Sequence, residues 1–103
     1  MRQFDVYENP SNQSRRSIPY LVVLQSHFFE DSPTVVVAPL IFDNGSAAYT
    51  LASVRLTFND QAFALALAEL ANIERLALRR ATGNVREHED AIRRALDRLF
   101  TGF

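Results

Sequence analysis

Val54-Arg55-Leu56-Thr57-Phe58-Asn59-Asp60-Gln61-Ala62-Phe63-Ala64-Leu65-Ala66-Leu67 is the stretch that decides between a helical and a β-rich fold. From Val54 to Phe58 apolar and polar side chains alternate strictly, the two-residue period of a strand with one buried face. Asn59-Asp60-Gln61 breaks the run with turn formers, and Ala62 to Leu67 resumes it, so the spacing predicts a β-hairpin. Residues 62–81 are also rich in alanine, leucine, glutamate and arginine, which favour helix. The hairpin decides residues 62–67, because packing routinely overrides intrinsic propensity. Residues 68–81 stay open between helix and strand on this evidence alone.

Towards the N-terminus, Phe4 and Val6 alternate with Gln3, Asp5 and Tyr7, as expected of a short strand with one buried face. The next ten residues, Glu8 to Ser17, combine turn formers with charge and hold no apolar side chain beyond Pro10, which predicts a mobile surface loop outside the core. Tyr20-Leu21-Val22-Val23-Leu24 is a continuous apolar run, expected of a central strand covered on both faces, and Gln25-Ser26 ends it. Val35-Val36-Val37-Ala38 is a third β-rich run, which Pro39 restricts to an edge, an end or a bulge. Asp43-Asn44-Gly45 marks a turn.

Towards the C-terminus, Val85, His88, Ile92, Ala95, Leu96 and Leu99 recur at three- and four-residue steps and share one face of a helix. Asn84 and Glu87 have the spacing of a capping box, which places the helix start there. Glu89 with Arg93 and Asp90 with Arg94 are acid-first pairs on the opposite face, each worth about 0.2–0.5 kcal/mol. Asp90, Arg94, Asp97 and Thr101 continue as a polar row to the tip, where Gly102 can release the helix and leave Phe103 free. The chain thus reads as one mainly antiparallel β domain, residues 1–103, closed by a helix.

Composition narrows the function classes. With 48% hydrophobic and 22% charged residues the chain is an ordinary globular one, and its net charge of −1 gives no general attraction to nucleic acid or anionic lipid. All eleven basic residues are arginine, and cysteine is absent, so neither a disulfide framework nor a cysteine metal site is possible. No apolar run reaches the length of a membrane span and the opening residues lack the apolar block of a secretory signal, which predicts a cytoplasmic protein. His27 and His88 have no partner at a catalytic or metal-ligand spacing, and Gly45, Gly83 and Gly102 are too scattered for a phosphate loop. Glu30-Asp31 and Glu87 to Asp90 read as solvated surface or caps rather than acid–base pairs. The doublets Arg15-Arg16 and Arg79-Arg80 lack the interleaved aromatics of a nucleic-acid stripe and read as solvated. No catalytic residue, metal or cofactor is predicted.

Four segments, taken in order and spacing, carry a resemblance: Gln3-Phe4-x-Val6-Tyr7, Val22-x-Leu24-Gln25-Ser26, Val37-x-Pro39-Leu40, and Glu89-Asp90-Ala91-Ile92-x-x-Ala95-Leu96-x-x-Leu99-Phe100-x-Gly102. Together they resemble a CcdB-type toxin of bacterial type II toxin–antitoxin pairs, over nearly the whole chain. The resemblance implies an SH3-like β-barrel of the CcdB/Kid/MazF kind, with a small side sheet and a C-terminal helix, assembled as a homodimer. It also implies strand and loop, not helix, for residues 68–81. Toxins of this family grip the A subunit of DNA gyrase and trap its cleaved-DNA complex without being enzymes, and a co-expressed antitoxin with a disordered tail neutralises them. Neither sequence-specific nucleic-acid binding nor a membrane is implied.

The family's gyrase contact, a terminal Trp-Gly-Ile, falls on Thr101, Gly102 and Phe103, of which only the glycine matches. A buried tryptophan anchor is typically worth about 2–4 kcal/mol, so its absence weakens the grip roughly thirty- to a thousand-fold unless Phe100 or Phe103 supplies aromatic area instead. Asp97 stands where family members can carry a neutral amide. Gln3, Phe4, Tyr7, Gln25, Ser26 and Phe28 map onto a second surface beside the tip. Two alternatives stay open on sequence: a binding module of this fold that no longer targets gyrase, and an endoribonuclease of the Kid/MazF kind, for which Arg55, His27 and a carboxylate make no recognisable constellation.

Overall fold

The alternation at Val54 to Phe58 becomes strand β4 (Ser53–Phe58), whose burial alternates residue by residue, and the resumed run becomes β5 (Gln61–Ala66). The structure, a computed structural model, describes residues 1–26, 31–43 and 52–102. Phe58 pairs with Gln61, so the hairpin loop is two residues rather than three. Asn59 and Asp60 both have positive φ, 51° and 62°, the pair required by a type I′ turn whose twist matches that of the strands. Asn and Asp tolerate that region better than other non-glycine residues.

Five further strands complete the set among the described residues: β1 (Asp5–Glu8), β2 (Tyr20–Val23), β3 (Thr34–Phe42), β6 (Ala71–Glu74) and β7 (Ala81–Asn84). They form one antiparallel sheet in the order β4-β5-β3-β2-β1-β7, with β6 branching from β3 as the small side element. The sheet curls into a half-barrel, and helix α1 (Glu89–Thr101) packs against it. The curl brings the end of β4 against β7, where a Cβ on Gly83 would stand 3.1 Å from the Phe58 ring. With φ at +155° as well, Gly83 is the one residue type that fits there.

The continuous apolar run Tyr20 to Leu24 is explained by two cores. Val22 and Leu24 face the main core with Phe4, Val6, Leu40, Phe63, Leu65, Leu67, Val85 and Ile92, whereas Val23 turns to a smaller cluster with Tyr7, Val35, Val37 and Leu78. Tyr20 seals one end of the main core by edge contacts to Phe58 and Phe63, at 5.2 and 5.8 Å between ring centres. Because β1 is covered on both sides, Tyr7 is buried and the single-faced reading of that strand is corrected.

Four other sequence expectations change. The third strand does not stop at Pro39 but runs on to Phe42. Leu24 N–H donates to Val36 O (2.9 Å), so alternate residues, Pro39 among them, turn their backbone groups to the other side of β3. There the partner changes from β6 to β5 across a 3-10 turn at Leu67–Glu69, so the missing N–H of Pro39 falls where no ladder bond is required. Residues 68–81 are strand and 3-10 turn, as the resemblance implied against their helix propensity. The Asn84–Glu87 capping box does not form. Asn84 is held in the sheet opposite Asp5, its Oδ1 accepts the Arg86 N–H (3.1 Å), and a 3-10 turn at Arg86–His88 intervenes before the helix begins at Glu89. The pair Glu89–Arg93 forms at 3.3 Å, while Asp90 and Arg94 do not pair. The turn expected at Asp43-Asn44-Gly45 lies, beyond Asp43, outside the described residues.

The fourth change is the segment after β1, which is folded around a polar core rather than lying loose. Asn9 is only 5% exposed: its Nδ2 donates to Ser14 Oγ (2.9 Å) and Ile18 O (2.8 Å), and its Oδ1 accepts the Ser11 N–H (3.0 Å). Substituting Asn9→Ala leaves Ser11 N–H and Ile18 O without those partners, at a cost of about 1–3 kcal/mol. Trypsin cleavage after Arg15 and Arg16 in the native variant is expected to accelerate accordingly. An unchanged cleavage rate would show that Asn9 does not organise this loop.

Candidate functional site

Helix α1 presents its tip because only part of its length is docked. Ile92 and Ala95 are fully buried and Ala91, Leu96 and Leu99 are partly so, while Asp90, Arg94 and Asp97 face solvent as the polar row requires. Phe100 sits beyond the apolar stripe and is 69% exposed, a large aromatic surface left open to water. Thr101 Oγ1 donates to Asp97 O (2.6 Å), and Gly102, at φ 81°, ends the helix with its N–H on Arg98 O (3.1 Å). Phe103 lies outside the described residues.

Phe100 forms one wall of a shallow depression of about 330 Å³, lined otherwise by Leu24, Gln25, Val36, Leu70 and Leu96. Its walls are almost wholly apolar. Gln25 Oε1 accepts the Val36 N–H (3.1 Å), and Gln3 Nε2 donates to Leu24 O (2.9 Å), so both glutamines are anchored at its border. The structure therefore brings Gln25 beside the tip residue Phe100, with Gln3 tied to the backbone of Leu24 next to it in the chain. Ser26 follows directly on Gln25, half-buried.

Phe4 and Tyr7 stand elsewhere than on a surface. Phe4 is 2% exposed in the main core, and Tyr7 lies in the smaller cluster beneath the opposite face of the sheet. Alternation along β1 does not separate a surface ring from a core ring when both faces are covered. Burial pushes the Tyr7 phenol above its ordinary pKa, with a further push from the Asp5 carboxylate and an opposing pull from the Arg75 guanidinium, so the ring stays neutral near neutral pH. Phe28 and His27 lie outside the described residues. His88 is half-buried, with the exposed Glu87 Oε1 at 3.6 Å, and Arg55 lies 3.7 Å from Asp43.

Two features were not visible in the sequence. Leu24, Val36 and Leu70 converge on the depression from three separate segments, and Leu70 lies in the stretch whose propensity pointed to helix. The doublets Arg15-Arg16 and Arg79-Arg80, read as independent solvated charges, are neighbours in space: Arg15, Arg79 and Arg80 line one open cavity with Glu8. Among the described residues, no three His, Asp or Glu side chains gather as metal ligands, and no helix is long and apolar enough to cross a membrane.

Comparison with known proteins adds one finding. A sequence model of the family described as CcdB protein matches residues 3–102, nearly the full length. No individually curated protein matches the chain.

Proposed function

Because the chain belongs to the CcdB family, toxins of bacterial toxin–antitoxin pairs, we propose that it acts by gripping the A subunit of DNA gyrase through its C-terminal tip. It does so as a homodimer, without catalysis, and a co-expressed antitoxin with a disordered tail neutralises it. The observation that carries this reading is Phe100, an aromatic ring left open at the end of a helix otherwise packed on the sheet. Aromatic anchors of this kind dominate binding energy where a partner fully desolvates them. Phe100 takes the part of the family's tryptophan from one position earlier, Asp97 and Thr101 flank it on the solvent face, and Phe103 extends the apolar area. Gln3, Gln25 and Ser26 make the adjoining surface, which Phe4 supports from within the main core.

Immobilised A subunit of DNA gyrase is expected to retain the purified chain. The Phe100→Ala variant is expected to bind roughly thirtyfold more weakly, the loss of one anchor of about 2 kcal/mol. Equal retention of the two proteins would remove Phe100 from the contact. One observation favours a second reading, that of a binding module which has lost this target: Thr101 stands where the family's tryptophan does. That reading requires that the wild-type chain is not retained at all.

A further inference from the structure

The cavity beside the first loop has the charge and shape of an anion site. The loop around Asn9 forms one wall and the segment Ala77 to Arg80 the other, stitched together by Glu8 N–H donating to Arg80 O (3.0 Å). Arg15 donates its Nε to Asn9 O (2.9 Å), which holds the guanidinium in place and leaves both terminal nitrogens without a partner among the described residues. Arg79 makes no hydrogen bond or ion pair among them. Arg80 has Glu8 at 3.7 Å, a loose contact that a better acceptor can displace. Pro10 and Ala77 supply small apolar walls, and the open cavity has a volume of about 510 Å³, within the range of small-molecule sites.

The charge decides the ligand class. Three guanidinium groups and one carboxylate line it, leaving two positive charges around a bowl rather than along a groove. A compact dianion neutralises both, whereas a lone carboxylate or a backbone phosphodiester neutralises one. The forked donors of arginine also match phosphate oxygens in pairs. The geometry points to this cavity as a binding site for a phosphate dianion, either free or as the phosphomonoester end of a small molecule. It shares no lining residue with the depression at Phe100, so it stands or falls apart from the reading of the tip.

The test is a titration of the isotope-labelled full chain with inorganic phosphate at low ionic strength, followed by NMR. Saturable binding in the millimolar range is expected, with shifts centred on the residues of the cavity. Arg79→Gln, which touches no folding contact, is expected to weaken it about tenfold, as loss of a charge-assisted hydrogen bond does. Glu8→Gln, which removes the competing carboxylate, is expected to tighten it. Adenosine monophosphate distinguishes the sources: tighter binding than phosphate assigns the site to a phosphomonoester with an organic body, and equal binding to phosphate itself. The proposal is overturned if phosphate does not saturate, if Arg79→Gln binds as the wild type does, or if only an oligoglutamate peptide or a DNA duplex binds.

Discussion

Cells expressing the chain without residues 101–103 are expected to grow like cells with an empty vector, while those expressing the full chain stop dividing. Thr101 is the last helical residue and Gly102 caps it. Thr101 Oγ1 bonds back to Asp97 O, and Gly102 N–H to Arg98 O, whereas Ile92 and Ala95, which fix the helix to the sheet, sit about two turns earlier. Removing the tip therefore costs the fold these two exposed terminal hydrogen bonds, together on the order of 1 kcal/mol because water replaces the lost partners at the helix end. It takes away the flanking contacts of Phe100 and the terminal aromatic together, an expected loss of about 2–4 kcal/mol of target binding, roughly thirty- to a thousand-fold. The two effects differ enough to be separated. Circular dichroism melts of the two proteins should lie within about 4–8 °C of one another. Growth arrest that persists in the truncated strain would place the active surface away from the tip.

The β-hairpin that begins this fold was legible because its signal is local: the alternation at Val54 to Phe58 and the Asn59-Asp60 turn need no partner from elsewhere. The tip was legible for the same reason, since the step from Ile92 to Leu96 and Leu99 leaves Phe100 off the buried stripe. What could not be read depends on partners distant in the chain. Residues 71–74 form a strand because Val35 and Val37 of β3 offer an unpaired edge, with Ile73 opposite Val35, and helix-favouring composition gives way to that pairing. Asn84 reads as a helix cap because strand ends and helix starts favour the same short polar residues, and only its pairing with Asp5 tells them apart. Asn9 reads as one residue of a mobile surface loop although it is the buried hub of that loop, since nothing local announces that Ile18 O will be left to satisfy. The arginine cavity is a product of topology alone: β7 returns to lie beside β1, and so carries Arg79 and Arg80 to Arg15.

Ile92→Ala is expected to destabilise the protein by about 2–5 kcal/mol, the usual range for emptying a core site of this size. In a domain whose whole stability is about 5–15 kcal/mol this is a large share, and it lowers the melting temperature by roughly 10–30 °C at fixed protein concentration. Ile92 is 0% exposed and stands in the main core with Phe4, Val85 and Leu65, so the vacated volume is walled by strands on one side and helix on the other and cannot collapse cheaply. Ala95, the other fully buried residue of α1, is already small, which concentrates the docking of the helix on this one side chain. Leu76→Ala is the control: Leu76 is 86% exposed, and its loss is expected to change stability by less than about 0.5 kcal/mol. The Ile92 variant also separates folding from recognition, because it leaves Phe100, Thr101 and Asp97 untouched. Assayed well below its own melting temperature, it should still bind the A subunit of gyrase nearly as the wild type does, while cells expressing it lose toxicity as growth temperature rises. A melting temperature within about 4 °C of the wild type would mean that α1 is not held to the sheet through Ile92, and the tip would then lack the fixed base that its exposed phenylalanine requires.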